Sequence, residues 1–296
     1  MWKPAFYAGF RYLYKELIIC RGVEMKIAAL VENTCANGRL EVEHGLCLYV
    51  ETPHHRLLLD SGASDLFLKN AGIMHTDLSL IDTVVLSHGH NDHGGGLSCF
   101  LQCNSVAKIY MQTSAFGEYY SIHEAPKFIG LDSELKKTSR IVMLNGCMRI
   151  DDELEIFAGI VSNRPVPSAN GTLKIKTGTG FVQDDFRHEQ CLVITVGEKR
   201  ILLSGCAHHG ILNILDEFRS IYETEPDVVI SGFHLKKKTA YTADDIREIR
   251  GIARELKSFR SVFYTCHCTG EEAFAVMKEV MGGRLHYLHC GDVLEF

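Results

Sequence analysis

One segment of this 296-residue chain concentrates side chains that can bind a metal ion. It reads SHGHNDHGGG over positions 87–96, and its candidate ligands are His88, His90, Asp92 and His93. Imidazole nitrogens together with a carboxylate form the ligand set that suits zinc, iron or manganese. If the backbone stays extended, side-chain alternation places the first three on one side, and a turn at the glycines brings the fourth round. This pattern predicts a metal site, and an ordinary polar loop explains it less well.

The elements that must position this segment alternate along the chain. Short apolar runs predict strands at 26–31, 46–50, 56–59, 83–86, 108–111, 154–157, 191–195, 200–203, 227–230, 261–264 and 284–288. Helical periodicity predicts helices at 64–71, 96–102, 210–222, 243–257 and 271–281. Thr242 and Asp245 are expected to form a capping box at the start of the fourth helix. The alternation predicts the α/β class.

The domain organisation is predicted from the segments that interrupt the alternation of strands and helices. The middle of the chain, 130–183, has prolines and glycines and no long helical pattern, so strands and irregular loops are expected there. The chain shows no internal repeat and no linker-like tract, which favours one compact domain over 25–296. Residues 1–24 have apolar side chains at helical spacing, which fits a docking helix, a weak membrane-surface anchor or an N-terminal extension outside the core. We favour the extension, because MKIAALVEN from position 25 reads as a first strand.

Composition excludes several classes of protein. With 46% hydrophobic and 23% charged residues, the chain is neither disordered nor fibrous. Its 31 basic and 37 acidic residues give a net charge of −6, which disfavours a nucleic-acid partner. No window approaches the roughly 18 consecutive apolar residues of a transmembrane helix. The 11 cysteines, an odd number without a secretory signal pattern, predict reduced thiols and a cytoplasmic location. The oligomeric state stays open.

The order HxHxDH at 88–93 resembles the signature of the metallo-β-lactamase-fold superfamily. Three further segments match that family: the strand 57–59 ending in Asp60-Ser61-Gly62, the pair Gly205-Cys206 where the family usually has Gly-Asp, and His267 after the run 262–265. The resemblance covers 25–296 and implies a single-domain αββα sandwich. It also implies that Asp60 supports the metal ligands without binding the metal itself.

A narrower branch of that family is also similar to this chain. Five segments resemble the dihydropteroate-synthase-like branch: EHGL at 43–46, KNA at 69–71, GCAHxGIxN at 205–213, GFHL at 232–235 and HCTG at 267–270. The branch includes an archaeal enzyme that joins a dihydropterin methyl group to a ribofuranosylaminobenzene phosphate. Each segment alone is a weak signal, but five in order are specific.

The resemblance implies two divalent metal ions, with zinc the first choice and iron or manganese the alternatives. His88 and His90 would bind one ion, and Asp92 and His93 the other, which His267 would complete. Two positions depart from the family pattern and leave alternatives open. They are Cys206, which is either a metal ligand or bridge or a small buried residue, and the third ligand of the first ion, for which we prefer His208 and keep His188 as the alternate.

Several other residues are candidates for contact with the substrate. Asp92 and His234 are the candidate catalytic residues, and His234 precedes three lysines at 236–238 that would suit an anionic or phosphate-bearing small molecule. His44 is expected to face the substrate. Thr269 is expected to offer its hydroxyl near a helix start, a place that favours anions.

Three functions are consistent with these residues. The first is a metal-dependent hydrolase that cleaves an ester, thioester or phosphodiester. The second is a transferase that condenses a dihydropterin pyrophosphate with an aryl ribofuranosyl phosphate. The third is a non-catalytic metal or redox sensor that uses Cys206, Cys266 and Cys268. The complete HxHxDH set favours the two enzymes.

Overall fold

A computed structural model describes residues 25–36, 38–178 and 180–296. The segment 1–24, interpreted above as an N-terminal extension, lies outside the described residues. Within the described part, the longest helix has 16 residues, and no helix is both long and apolar enough to cross a bilayer.

The described chain contains strands and helices in a mixed order. The strands are β1 (Lys26–Val31), β2 (Cys47–Glu51), β3 (Arg56–Leu59), β4 (Thr83–Val85), β5 (Lys108–Gln112), β6 (Tyr119–Ile122), β7 (Pro126–Phe128), β8 (Ile141–Leu144), β9 (Met148–Arg149), β10 (Leu154–Ala158), β11 (Leu173–Thr177), β12 (Gly180–Gln183), β13 (Gln190–Val196), β14 (Lys199–Leu203), β15 (Val228–Ser231), β16 (Val262–Thr265), β17 (Leu285–Tyr287) and β18 (Val293–Glu295). The helices are α1 (Leu66–Ile73), α2 (Asn91–Gly94), α3 (Leu97–Cys103), α4 (Ile211–Tyr222), α5 (Ala243–Ser258) and α6 (Glu271–Met281).

The strands form two seven-stranded sheets and one smaller sheet. The first sheet has the order β18-β1-β2-β3-β4-β5-β8 and is parallel from β3 onward. The second has the order β17-β16-β15-β14-β13-β10-β9 and is parallel from β14 to β17. The small sheet, β12-β11-β6-β7, is antiparallel.

The central strands of both large sheets are buried on both faces, which explains their continuous apolar sequences. In β13, Leu192 and Ile194 pack against the first sheet, whereas Cys191 and Val193 pack under α4, α5 and α6. The outer face of the first sheet packs against α1 and α3 in the same way. The layers therefore run helices, sheet, sheet, helices, and the expected αββα sandwich is confirmed.

The predicted elements agree with the structure except where strands are short or exposed. All five predicted helices are present, and Thr242 and Asp245 form the expected capping box. The strands β6, β7 and β18 were not predicted, because their exposed or short sequences lack a run of buried apolar residues. The middle of the chain consists of short strands and loops, as predicted.

Candidate metal centre

The segment 87–96 reaches its position by a different path from the one expected. His90 keeps an extended backbone, but the chain turns into the short helix α2 at Asn91. This helical turn, and not a turn at the later glycines, brings Asp92 and His93 toward the preceding histidines. The expectation of an extended chain through Asp92 was therefore wrong, because the helix starts before it.

Gly89 is required by close backbone packing. A Cβ atom at this position would overlap the carbonyl oxygen of Ala115. The backbone N–H of Gly89 also donates to Nδ1 of His188 at 2.9 Å. A larger residue at 89 would therefore move the two histidines on either side of it.

Six candidate ligands and one cysteine converge at the carboxyl ends of the strands. Nε2 of His88 lies 3.3 Å from Nε2 of His208, and Nε2 of His93 lies 3.2 Å from Nε2 of His267. The groups whose ligand atoms lie within 4.8 Å of one another include His88 with Cys206 and His208, His93 with Cys206 and His267, His88 with His90 and Asp92, and His44 with Asp92 and His267. Cys206 belongs to two of these groups.

The donor set fits divalent cations. It combines imidazole nitrogens, one carboxylate and one thiol, which are the ligands of zinc and related metals. Nε2 of His90 is buried without a hydrogen-bond partner among the described residues. A buried polar atom without a partner is costly unless a ligand satisfies it. The residues present therefore match the chemistry of a metal site.

The buried carboxylate of Asp60 supports the cluster through hydrogen bonds. Its Oδ2 lies 2.6 Å from Nδ1 of His93, and its two oxygens accept the N–H and the hydroxyl of Ser87. The Ser87 hydroxyl in turn lies 2.9 Å from Nδ1 of His88. Burial lowers the pKa of His93, but the carboxylates of Asp60 and Asp92 outweigh it and raise that pKa to about 9. Asp60 thus fixes the ring orientation of two candidate ligands.

Three further supporting residues were missed by the sequence analysis. Glu32 accepts the backbone N–H of His267 at 2.5 Å, and Asn33 Oδ1 lies 2.9 Å from Nδ1 of the same histidine. Asn170 supports His208 similarly, with Oδ1 3.0 Å from Nδ1. Glu32 and Asn33 follow β1 directly, so polar residues at the end of a buried strand were the available signal.

The two alternates for the third ligand occupy different environments. Both ring nitrogens of His188 have protein partners, since Nδ1 accepts from Gly89 and Nε2 lies 3.1 Å from Asp184 Oδ2. His208 instead directs Nε2 toward His88, while Phe186 stacks on its ring at 4.4 Å. The expected extended path from Cys206 to His208 is interrupted at Ala207, whose φ is 52°. The ligand atoms of Cys206 and His208 nevertheless lie within 4.8 Å of each other.

His44 lies at the edge of the cluster. It is exposed, stacks on His267 at 4.8 Å, and has Nε2 3.4 Å from Asp92 Oδ2. Desolvation of the ring face that stacks on His267, together with the charge of that histidine, lowers the pKa of His44 to about 4. Although burial raises the pKa of Asp92, the surrounding histidines hold it well below its ordinary value. Asp92 is therefore a carboxylate beside a neutral imidazole.

His234 lies against the ligand cluster, whereas Thr269 lies in the protein interior. The ring of His234 lies 4.3 Å from that of His208, and its Nδ1 is buried without a partner among the described residues. Thr269 is fully buried, and its Oγ1 accepts the N–H of Phe233 and shares a hydrogen bond with Thr265. The Thr269 hydroxyl is thus committed to the protein interior, a placement that does not fit the expected contact with substrate.

A cleft of about 470 Å³ opens beside the cluster. Its walls include His267, the lysines at 236–238, Tyr287 and the start of α6, where Glu271 and Glu272 also contribute. Lys237 forms an ion pair with Asp245, and Lys236 packs over Gly270. The cleft thus lies between a candidate metal ligand, His267, and a wall that carries both lysines and glutamates.

Comparisons with known proteins agree with this geometry. The family model described as the metallo-beta-lactamase superfamily matches residues 40–244. A crystal structure described as Tm1679, a metal-dependent hydrolase of the beta-lactamase superfamily, is 30% identical with a TM-score of 0.76, covering 92% of this chain and 99% of that one.

Two curated relatives come from Methanocaldococcus jannaschii. One is the uncharacterized protein MJ0448, 27% identical over 90% of this chain and 99% of its own length. The other is named 7,8-dihydropterin-6-methyl-4-(beta-D-ribofuranosyl)-aminobenzene-5'-phosphate synthase and is 27% identical over 92% of this chain and 97% of its own length.

Proposed function

This chain belongs to the metallo-β-lactamase superfamily, and on that premise we propose that it is a metal-dependent hydrolase with a dinuclear centre. The observation that carries the proposal is the convergence of six histidine and carboxylate ligands with Cys206 in one cluster. One ion would be held by His88, His90 and His208. The other would be held by Asp92, His93 and His267, with Cys206 between the two.

Divalent cations held in this cluster would act as Lewis acids, polarising the scissile bond and making water reactive near neutral pH. The side chains of the protein carry out the proton transfers. Asp92 is ionised at neutral pH and directs Oδ2 at the ligand nitrogens of His93 and His267, so we assign the proton of the attacking water to its other carboxylate oxygen. His44, an exposed imidazole beside the same carboxylate, carries that proton to solvent. Asp60 and Glu32 hydrogen-bond to His93 and His267 and fix the positions of these two ligands.

The cleft beside His267 supports a substrate class. Lys236 and Lys238 line the cleft together with the first turn of α6, whose backbone N–H groups favour anions. Glu271 and Glu272 lie in the same turn, so an anionic group would bind on the lysine side of the cleft. An anionic or phosphate-bearing small molecule bound there would place its scissile bond beside the metal ligands. This inference supports a small-molecule substrate.

Metal content and turnover test the proposal together. The purified chain should contain at least two zinc, iron or manganese ions and should turn over a phosphodiester, a thioester or a lactone. His88→Ala should lose metal and activity in parallel, because His88 belongs to two ligand groups. His123→Ala, an exposed histidine outside the cluster, should keep both. A metal-free wild-type chain, or no hydrolysis of any of the three classes, would contradict the proposal.

A transferase is the second candidate, favoured by the similarity to the named synthase over 293 residues. In that reaction an aromatic carbon or amine replaces water as the nucleophile, and a pyrophosphate leaves. The distinguishing assay combines a dihydropterin pyrophosphate with an aryl ribofuranosyl phosphate. Product that requires both compounds, with no hydrolysis of either alone, would select the transferase.

A further inference from the structure

Two donors, the thiol of Cys268 and the ring of His234, lie beside the proposed dinuclear centre and are not among its ligands. Together with the thiol of Cys206 they form a group whose ligand atoms lie within 4.8 Å of one another. The backbone N–H of His234 donates to the Cys268 sulfur at 3.3 Å, and that thiol faces the carbonyl of Cys206 at 3.6 Å. Both cysteines are at least 95% buried, with 3% and 5% exposed.

The backbone around these donors is shaped to hold them together. A Cβ atom at Gly232 would overlap the Cys268 sulfur, so the glycine leaves the room that the thiol occupies. Thr269 joins the two loops, because its hydroxyl accepts the N–H of Phe233 at 2.7 Å. His234 has a φ of 50°, which for a residue with a side chain is an unfavourable backbone conformation. Strain of this kind is typical of functional positions.

We propose that Cys206, His234 and Cys268 form a third cation site that shares Cys206 with the dinuclear centre and takes a thiolate-preferring divalent ion of the zinc group. Two sulfur donors and one imidazole suit a tetrahedral zinc-group ion with one open position. Nδ1 of His234, buried and without a partner among the described residues, is the available nitrogen donor. The third site rests on the proposed function only in one respect, which is that it shares Cys206 with the two ions of the dinuclear centre.

The sulfur donors favour this ion class. Binding of the third ion releases the Cys268 thiol proton to solvent, and the ion shares the thiolate of Cys206, whose proton leaves when the neighbouring ions bind. Thiolates select soft or borderline cations over magnesium and manganese. Magnesium should therefore leave the site empty, whereas cadmium should fill it.

Titration of the full chain with Cd²⁺ under anaerobic conditions tests the proposal. Bound ions are counted by equilibrium dialysis, and thiolate ligation is followed by its ultraviolet charge-transfer absorption. The wild-type chain should bind three equivalents, and Cys268→Ser should bind two with a weaker absorption. His234→Gln, which keeps both thiols, should weaken the third equivalent at least tenfold. Cys103→Ser, whose thiol contacts the Phe100 carbonyl on α3, should behave like the wild type.

The outcomes separate this site from the dinuclear centre. Two equivalents in the wild type, with the same absorption in Cys268→Ser, would overturn the third site and leave the proposed function intact. No bound cadmium at all would overturn both. If Cys268→Ser does not fold, a third wild-type equivalent that adds no thiolate absorption would also overturn the third site.

Discussion

Oδ2 of Asp60 lies 2.6 Å from Nδ1 of His93, and both side chains are fully buried although 33 positions separate them in the chain. The contact leaves Nε2 of His93 facing Cys206 and His267. It therefore fixes which nitrogen of His93 is presented to a metal ion.

Replacing Asp60 by asparagine tests this support. Asp60→Asn should weaken zinc affinity about 10- to 100-fold, the usual effect of losing a carboxylate behind a ligating histidine. Asparagine tolerates the left-handed backbone at this position, where φ is 62°, so the fold should persist. The measurement is a competition titration with a chromophoric chelator. Asp77→Asn, an exposed cap residue, is the control, and equal affinities in the two variants would contradict the role of Asp60.

The choice of His208 over His188 is testable by metal content. His208→Gln should lose one of the two ions of the dinuclear centre, because its Nε2 faces His88. His188→Gln should keep both, because both ring nitrogens of His188 already have protein partners. Metal analysis after dialysis distinguishes the two variants. The reverse pattern would make His188 the ligand.

Steric constraint at Gly89 predicts a loss of stability. Gly89→Ala should lower the free energy of unfolding by about 1–3 kcal/mol, because the new methyl group overlaps the Ala115 carbonyl in a well-packed region. Gly72→Ala is the matched control, since it lies in α1 with open space around it and should be neutral or stabilising by up to about 1 kcal/mol. Urea denaturation measures both. Equal stabilities would show that the loop relaxes without cost.

We predict that His55, which lies away from the metal site, makes a pH-dependent contribution to the free energy of unfolding. Burial lowers its pKa, but hydrogen bonds to Asp82 and Asp151 outweigh burial and raise the pKa above 6.5. A raised pKa in the folded state stabilises the protein fully below the unfolded value of 6.5, and this stabilisation is lost as pH rises through the folded value.

The expected size of this effect is small because the aspartates are partly exposed. His55→Gln should lower the free energy of unfolding by about 1 kcal/mol near pH 5.5 and by less near pH 9. His123→Gln, an exposed histidine, should differ little from the wild type at either pH. A larger loss for His55→Gln at the higher pH would show that the sign is wrong.

The α/β class and the ligand-bearing segments could be predicted because strong local patterns carry them. Buried strands such as β13 have continuous apolar sequences, and His88 to His93 lie within six positions. The partners of these residues could not be predicted, because tertiary packing brings them from distant parts of the chain. Asn170 reaches His208 across 38 positions, and Glu32 reaches His267 across 235. The helical turn at Asn91 was missed because a four-residue helix has no detectable period.

The most direct test of the metal centre is anomalous X-ray diffraction at the zinc absorption edge, from crystals of the full chain grown with zinc. We predict one strong peak among His88, His90 and His208 and a second among Asp92, His93 and His267. A third peak, among Cys206, His234 and Cys268, is expected from the separate third site and does not bear on the dinuclear centre. A zinc-loaded crystal with no anomalous density between these side chains would contradict it.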